Sequence, residues 1–197
     1  MDTNDNALML AARDGDLECF AELFERHHIR LWEFFYRMTG SRSDSEDLVQ
    51  EVFLRMLKYR ATFHADSQFR AWMYRIARNA RMDRLSKGRA ETPLGPESDA
   101  IPGSGAAPHT IVERAEHFSM LHRALMKLPE DKREILVLAR YQEMKYEEIG
   151  ELLNVEVNTV KVRVHRAMNE LREIFMKLSN RKPLCDVKTS EPILRTT

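Results

Sequence analysis

The sequence predicts an all-α protein in which two small helical domains are joined by a flexible linker. Apolar residues recur every three to four positions in both halves of the chain, which is the spacing of one helix face. Between the halves, residues 86–109 hold four of the seven prolines and four of the seven glycines, a composition typical of flexible linkers. We therefore expect domains at 1–85 and 110–178, followed by a disordered tail over 179–197.

Three helices are expected in the first domain. The first has an apolar face within residues 20–38. The second begins in the stretch "SDSEDLVQEVFLRML", where Ser43 and Glu46 have the spacing of a capping box. The third is expected from about residue 66 to about residue 85, with Trp72 on its apolar stripe.

The second domain is expected to contain a helix near 111–127, another that begins at Pro129, and a final pair of helices. Within that pair the stretch "VNTVKVRVHRA" is ambiguous, because its alternating valines are also typical of a strand. As a helix, the stretch and its continuation gather the apolar side chains on one face, namely Val157, Val160, Val164, Ala167 and Leu171. No partner strand is predicted, and the preceding "YEEIGELLN" ends at Asn154, a residue suited to a left-handed turn. Helix, tight turn and helix predict a helix-turn-helix.

The outward face of the last helix is basic and carries no acid between residues 157 and 167. The side chains expected on this face are Asn158, Thr159, Lys161, Val162, Arg163, His165 and Arg166. A basic second helix after a tight turn is the part of a helix-turn-helix that enters the DNA major groove. Val162 lies opposite the buried face, where it could contact a thymine methyl group. The alternative is a solvated valine without a role.

Charge is distributed unevenly, although the formal net charge of the chain is zero. Residues 1–53 hold twelve acids and five arginines, whereas residues 54–89 hold ten lysines and arginines and two acids. Such a basic block suggests a polyanion as partner, and neutralisation between opposed helix faces is the alternative.

The third helix and the loop before it mix basic and aromatic residues. The basic residues are Arg70, Arg75, Arg78, Arg81 and Arg84, and the rings are Phe63, Phe69, Trp72 and Tyr74. Cations contact phosphates and rings stack on unpaired bases, so this mixture suits separated DNA strands. Arg75, Arg78 and Asn79 project to one side, beside a loop at 63–68 that could receive an extruded base. For the rings on the apolar stripe, the alternative is a place in the core.

Other classes of protein fit less well. A metal-dependent hydrolase would need closely paired ligands, but His27, His28, His117 and His122 do not have that spacing. No nucleophile constellation or glycine-rich phosphate loop stands out, so we expect no enzyme, no cofactor and no metal. Asp83 projects among apolar positions and is expected to be partly buried and paired with an arginine or a helix end.

The sequence also predicts a cytoplasmic protein without membrane insertion. The two cysteines, Cys19 and Cys185, lie far apart, and reduced thiols in a cytosolic protein explain them best. No run approaches the roughly 20 apolar residues that span a bilayer. The acidic start "MDTNDN" lacks the basic residues of a signal peptide.

Three motifs in this order resemble the extracytoplasmic-function group of bacterial RNA polymerase sigma factors, which keep only the second and fourth conserved regions. "SEDLVQEVFLRML" is similar to the core-binding segment of that family. "FRAWMYRIARNARMDRL" is similar to its segment for opening and reading the −10 element. "LPEDKREILVLARYQEMKYEEIGELLNVEVNTVKVRVHRAMNELR" is similar to its −35 reader. The resemblance covers most of residues 8–175, so 1–85 would be region 2 and 110–178 region 4.

The resemblance also implies roles for individual residues. Docking on the clamp helices of the polymerase β′ subunit would use Asp47, Leu48, Gln50, Glu51 and Phe53. Capture of a flipped −10 base would use Phe63, Phe69 and Asn79, with Arg75 and Arg78 on the backbone nearby. The helix from Asn158 to Arg166 would enter the −35 major groove. Further implied partners are the polymerase β flap and an anti-sigma factor, and the linker would run toward the RNA exit path.

Three positions depart from the pattern of that family. It usually has glycine where Asn154 stands, a small hydroxyl residue where Glu156 precedes the recognition helix, and commonly serine where Val162 stands. The last two leave the −35 sequence open. The main alternative to a sigma factor is a stand-alone helix-turn-helix regulator, whose first domain would serve dimerisation or sensing.

Overall fold

The computed structural model describes residues 4–88 and 108–179, and every regular element within those ranges is helical. The α-helices are α1 (Asp5–Arg13), α2 (Leu17–Thr39), α3 (Arg42–Tyr59), α4 (Phe69–Gly88), α5 (Pro108–Met126), α6 (Glu130–Leu136), α7 (Tyr146–Leu153) and α8 (Val157–Ser179). A 3-10 turn at Arg60–Thr62 follows α3, and a π-helical turn at Val137–Tyr141 continues α6. The predicted all-α fold with two helical units is confirmed.

Three boundaries differ from the prediction by a few residues. α4 continues to Gly88, beyond the expected end of the first domain at 85, and α5 begins at Pro108, inside the expected linker. Proline fits there because the first turn of a helix has no intrahelical partner for its amide. α8 includes Ser179, the first residue of the expected tail. The predictions of a flexible linker and a disordered tail otherwise concern residues 89–107 and 180–197, which lie outside the described residues.

The start of α3 is fixed by a different serine from the one predicted. Ser41 accepts a hydrogen bond from the amide of Asp44 at 3.2 Å, so the helix begins two residues earlier than a capping box at Ser43 and Glu46 would place it. The cause lies in the preceding turn. Gly40 ends α2 with a φ of 74°, which leaves Ser41 extended and able to cap.

The first unit, α1 to α4, encloses an aromatic core. The large side chains that are almost completely buried in it include Phe34, Phe35, Phe63, Phe69 and Tyr74. Phe34 meets Tyr74 edge to face, with 5.2 Å between ring centres. Rings of this size dominate the energetics of a core, and here they fill the space enclosed by α1 packed on α2, α2 on α3 and α3 on α4.

The second unit, α5 to α8, packs against the first. α4 lies against α7, and α2 packs on α5, α6 and the π-helical turn. The guanidinium of Arg37 lies 4.3 Å from the centre of the Tyr141 ring, and the rings of Tyr36 and His122 stack at 4.8 Å. Each unit therefore covers part of the surface of the other.

Candidate nucleic-acid interface

The last two helices form a helix-turn-helix. α7 ends at Asn154, whose left-handed backbone (φ 52°, ψ 52°) turns the chain into α8. Gly150 faces this turn, and a Cβ atom added there would lie 2.9 Å from the carbonyl oxygen of Val155. Only glycine allows so close an approach without a shift of the backbone. The prediction that the valine-rich stretch is helical is confirmed, and Gly150 is a requirement of the turn that the sequence interpretation missed.

The outward face of α8 is accessible as predicted. The seven residues expected there are all exposed or half-buried: Asn158, Thr159, Lys161, Val162, Arg163, His165 and Arg166. Val162 is 48% exposed, whereas Val160 and Val164 on the opposite side are 0% and 2% exposed. An apolar side chain thus lies at the centre of a basic surface. That combination suits a groove that offers phosphates at its edges and thymine methyls on its floor.

α4 has three distinct faces along its length. One face, with Met73, Ala77 and Ala80, is buried in the core of the first unit. A second face carries Arg75 and Asn79 one turn apart, and both are exposed. The side chain of Arg75 is 51% accessible and forms a long, solvent-exposed ion pair of 3.8 Å with Glu151 of α7, which leaves its guanidinium within reach of a phosphate.

The third face of α4 points at the second unit. It consists of Arg70, Tyr74, Arg78 and Arg81, which recur at the spacing of one helix stripe. The Nε atom of Arg78 donates to Glu134 at 2.8 Å, and the Tyr74 hydroxyl donates to the side-chain oxygen of Gln142 at 2.6 Å. Burial raises the pKa of Tyr74 above its ordinary range, which keeps the hydroxyl a donor. Arg75 and Arg78 both lie next to acids of the second unit, but the Arg78 contact is short and its acid is buried, whereas the Arg75 contact is long and exposed. Their grouping on one face that contacts DNA stays a prediction.

Phe63 and Phe69 do not face a base. Their side chains are 0% and 1% exposed, and Phe63 packs edge-on against Trp72 with 5.4 Å between ring centres. The expectation that these two rings stack on a flipped base is corrected accordingly, because both rings are buried in the core of the first unit together with Trp72.

The loop before α4 is instead held from outside by α1. The side-chain amide of Asn6 donates to the Ser67 carbonyl at 3.1 Å, and its oxygen accepts from the Phe69 amide at 2.8 Å. Arg13 donates to the carbonyl of Phe63 at 3.2 Å. The loop therefore has a fixed shape beside the exposed face of α4. The partnership of Asn6 with this loop has no local signal in the sequence.

The acidic face predicted on α3 is only partly accessible. Asp47 and Gln50 are exposed, and Glu51 is half-buried and accepts a hydrogen bond from Arg55 at 2.6 Å. Leu48 and Phe53 are 2% and 5% exposed, so the prediction that they contact a partner is corrected: both lie on the buried stripe of α3. Leu54, which the sequence interpretation did not single out, is 62% exposed beside the acids. An exposed leucine among acidic and amide groups is typical of a protein contact rather than a nucleic-acid contact.

Asp83 pairs with an arginine as predicted but is not buried. Arg55 donates to it at 2.7 Å, and its side chain remains 56% exposed. The last turns of α4 extend beyond the core of the first unit, where Met82 is also exposed. The expected partial burial of Asp83 is therefore wrong.

Histidines and acids do not assemble a metal site within residues 4–88 and 108–179. His27 is buried and lies 2.8 Å from Asp5. Burial lowers the pKa of His27 and outweighs the opposing effect of that carboxylate. Among the helices described, none combines the length and the apolar character that crossing a membrane requires.

A groove of about 500 Å³ opens between α5 and α8. The lining is mostly apolar: His117, Phe118, Leu121, Met168, Leu171, Arg172 and Phe175. Phe118 is 65% exposed at its edge. An open apolar groove with an exposed ring suits the apolar face of a helix from a partner protein.

Comparison with known proteins gives matches for both units. Residues 23–91 match the family described as Sigma-70 region 2, and residues 118–171 match Sigma-70, region 4. The chain is 32% identical to the ECF RNA polymerase sigma factor SigW of Bacillus subtilis, over 82% of this chain and 91% of that protein. It is 33% identical to the RNA polymerase sigma factor CarQ of Myxococcus xanthus, over 84% of this chain and 94% of the other.

Solved structures agree in fold. CnrH, in its complex with the cytosolic domain of CnrY, superposes with a TM-score of 0.66 and 25% identity, covering 88% of this chain and 97% of CnrH. The sigma factor RpoE of Bartonella quintana, in complex with the anti-sigma factor NepR, gives a TM-score of 0.66 at 23% identity, covering 80% of this chain and 96% of RpoE.

Proposed function

Because the chain belongs to the extracytoplasmic-function (ECF) group of RNA polymerase sigma factors, we propose that three of its helices divide promoter reading and polymerase binding among them. As a member of that group it directs promoter-specific transcription initiation with core RNA polymerase. It is a DNA-binding initiation factor rather than a catalyst, so the chemistry of RNA synthesis is carried out by the polymerase.

α8 reads the −35 element by lying in the major groove. The observation that carries this proposal is the exposed basic face around Val162, placed directly after the left-handed turn at Asn154. Lys161, Arg163 and Arg166 contact the phosphates that flank the groove, and Val162 contacts a thymine methyl. Phosphate contacts set position, whereas the base-edge contacts set the sequence that is read.

α4 contacts the −10 element once its strands separate. Arg75 holds the strand backbone and Asn79 offers a side-chain amide to an extruded base, which lies against the loop at 63–68. Extrusion costs a few kcal/mol of stacking and pairing. Phosphate contacts and the captured base offset that cost, so the melted state accumulates when the polymerase is bound.

Two further surfaces contact the polymerase. The exposed Asp47 and Gln50 of α3, with the half-buried Glu51 and the exposed Leu54, dock on the clamp helices of the β′ subunit. The apolar groove between α5 and α8 takes the β flap. Both assignments follow the family resemblance and fit the chemistry of the two surfaces. The face of α3 is polar with one exposed leucine, and the groove between α5 and α8 is apolar with one exposed ring.

An anti-sigma factor is the proposed regulatory partner. Proteins of this group are typically held inactive by such a factor until a stress signal releases them. CnrH, with which the chain shares 25% identity, has been solved in complex with the cytosolic domain of a second protein, CnrY. A cytoplasmic location follows from this proposal, because polymerase and promoter DNA are both there.

Transcription in vitro tests the proposed function most directly. Core polymerase, a library of promoter fragments and this chain should give transcripts that depend on the chain, and their start sites should reveal both recognised elements. A gel shift without polymerase provides the contrast. A stand-alone helix-turn-helix regulator binds duplex promoter DNA by itself, so strong binding without polymerase and no dependence of transcription on the chain would refute the assignment.

A further inference from the structure

The loop before α4 is tied to α1 at three backbone positions. The side-chain oxygen of Asn6 accepts from the Phe69 amide at 2.8 Å, and its side-chain nitrogen donates to the Ser67 carbonyl at 3.1 Å. At the other end of the loop, Arg13 donates to the Phe63 carbonyl at 3.2 Å. Residues 63–68 are therefore held at both ends by side chains that stand 50 to 63 residues earlier in the chain.

These ties satisfy backbone groups at the point where the loop becomes a helix. The first amides of a helix have no intrahelical acceptor, and Asn6 supplies one to α4 in the manner of a capping side chain. Within the loop, the Ser67 amide donates to the His64 carbonyl at 3.0 Å and closes a turn. The backbone of the loop is thus fixed at both ends and in the middle.

α1 is itself anchored firmly enough to set the position of the loop. Asp5, the neighbour of Asn6, lies 2.8 Å from His27 and 3.1 Å from Arg26, and both of these residues are on α2. Three further residues of α1 are buried in the core of the first unit: Leu8, Met9 and Ala12. Asn6 is therefore presented to the loop from a rigid helix.

The loop directs polar side chains outward. His64, Asp66 and Gln68 are exposed, whereas Phe63 is buried. Exposed side chains of this kind carry the hydrogen-bond donors and acceptors that read the edge of an extruded base. Hydrogen bonds weaken steeply with distance and angle, so discrimination between bases depends on the shape of the backbone that carries these groups.

We propose that α1 is a brace for this loop, and that Asn6 and Arg13 are positioning residues for the selection of the −10 base. The inference rests on the proposed function, in which an extruded base lies against residues 63–68. Neither side chain contacts the base. A loop held in its binding shape captures the base without first having to be ordered. Loss of a tie gives the loop several shapes, which weakens the contacts that distinguish the preferred base from the other three.

Asn6→Ala tests the brace, and Asn4→Ala is its matched control. Asn4 caps α1 by accepting from the backbone amide of Asn6 at 3.1 Å, so the same substitution there weakens the same helix without removing a tie to the loop. Each full chain is assembled with core RNA polymerase and assayed on promoters randomised at one −10 position at a time. The readout is the selection ratio, the amount of transcript from the preferred base divided by the mean for the other three. Urea denaturation of the free chains compares their stabilities.

Asn6→Ala should lower the selection ratio about fivefold at the position that the loop reads, because two hydrogen bonds to the loop are lost. Asn4→Ala should keep the ratio of the parent, although both variants should unfold at lower urea concentrations than the parent.

A second variant, Arg13→Lys, tests the other end of the loop without a change in charge. Arg13 uses two nitrogens on Asp14 and a third on the Phe63 carbonyl. The ammonium of lysine lacks this forked geometry, so the selection ratio should fall about twofold.

The outcomes separate the brace from the proposed function. An unchanged selection ratio in Asn6→Ala would overturn the brace. Equal losses in Asn6→Ala and Asn4→Ala would overturn it too, since the effect would then reflect the stability of α1. Should Asn6→Ala not fold, the ratio of Arg13→Lys decides in the same way. A parent holoenzyme without base preference at any −10 position would instead remove base reading from α4 and its loop, and the brace with it.

Discussion

The guanidinium of Arg78 lies 2.8 Å from the carboxylate of Glu134, a residue of the other helical unit whose side chain is only 9% exposed. The polar residues of α4 thus form two groups, those in close contact with the second unit and those that remain accessible. Arg78 forms a short ion pair within the chain, whereas Asn79 is exposed and Arg75, 3.8 Å from Glu151, keeps a side chain that is 51% accessible. Arg75 and Asn79 are therefore the part of this surface of α4 that is most accessible to DNA.

The exposed pair on α4 should control melting of the promoter. The double variant Arg75→Ala, Asn79→Ala removes one phosphate contact and one amide, and hydrogen bonds of these two kinds are each worth about 0.5–3 kcal/mol. Permanganate reactivity of thymines in the −10 element should fall about tenfold or more, with binding to core polymerase unchanged. Met82→Ala, a change at an exposed apolar residue of the same helix, serves as control. Normal melting in the double variant would contradict the role of this face.

Phe63 should matter for stability and not for base capture. Phe63→Ala empties a fully buried position in contact with Trp72, so the free energy of unfolding should drop by about 3–5 kcal/mol. Phe63→Leu keeps most of the volume and should cost much less. Urea denaturation measures both. If Phe63→Ala is as stable as the parent but cannot open a promoter, the ring contacts a base after all.

Polymerase binding should depend on the exposed face of α3. Gln50→Ala with Glu51→Ala removes an amide and a carboxylate that lie beside Leu54, and the variant should be recovered with core polymerase at least several-fold less efficiently than the parent. Glu147→Ala, with the same change in charge on the second unit, should be recovered normally. Unchanged co-purification of the double variant would remove this face from the interface.

Stability should fall as the solution is acidified through the range in which histidine titrates. Burial lowers the pKa of His27 and of His122 below the ordinary value of 6.5, and Arg37 and Arg133 lower that of His122 further. The unfolded chain therefore binds more protons than the folded chain below about pH 6.5. Stability is complete above that pH and is lost as the pH falls, until the folded state is protonated as well.

The corresponding measurement is the free energy of unfolding by urea between pH 7.5 and 5. His27→Gln and His122→Gln should each reduce the dependence on pH, because each removes one group whose pKa differs between the two states. His64→Gln, at an exposed position in the loop before α4, is the matched control. A parent protein whose stability rises toward pH 5 would show that the two buried rings do not govern this range.

Helices and the recognition turn could be predicted from sequence because their signals are local. The period of the apolar residues and the left-handed preference of Asn154 can both be recognised without knowing which residues from elsewhere in the chain lie nearby. A ring such as that of Phe63 or Phe69 suits a base as well as a core, and only the packing of the whole unit, such as the contact of Phe63 with Trp72, decides between them. The pairing of Arg78 with Glu134 joins residues far apart along the chain, so no spacing rule predicts it.

The −35 preference should depend on Val162. This side chain is 48% exposed at the centre of the basic face of α8, and exchange for serine replaces a methyl-binding surface by a hydroxyl that can bond to several base edges. Val162→Ser should therefore leave stability and polymerase binding unchanged, while discrimination at one or two −35 positions changes by about 1–3 kcal/mol.

Selection of −35 sequences from a randomised promoter library measures this preference for both proteins. Val164→Ser is the contrasting variant, because Val164 is 2% exposed and a buried hydroxyl should destabilise the second unit and weaken binding to every sequence alike. If Val162→Ser selects the same sequences as the parent, the valine is a solvated residue and the −35 specificity belongs to the neighbouring basic and polar side chains of α8.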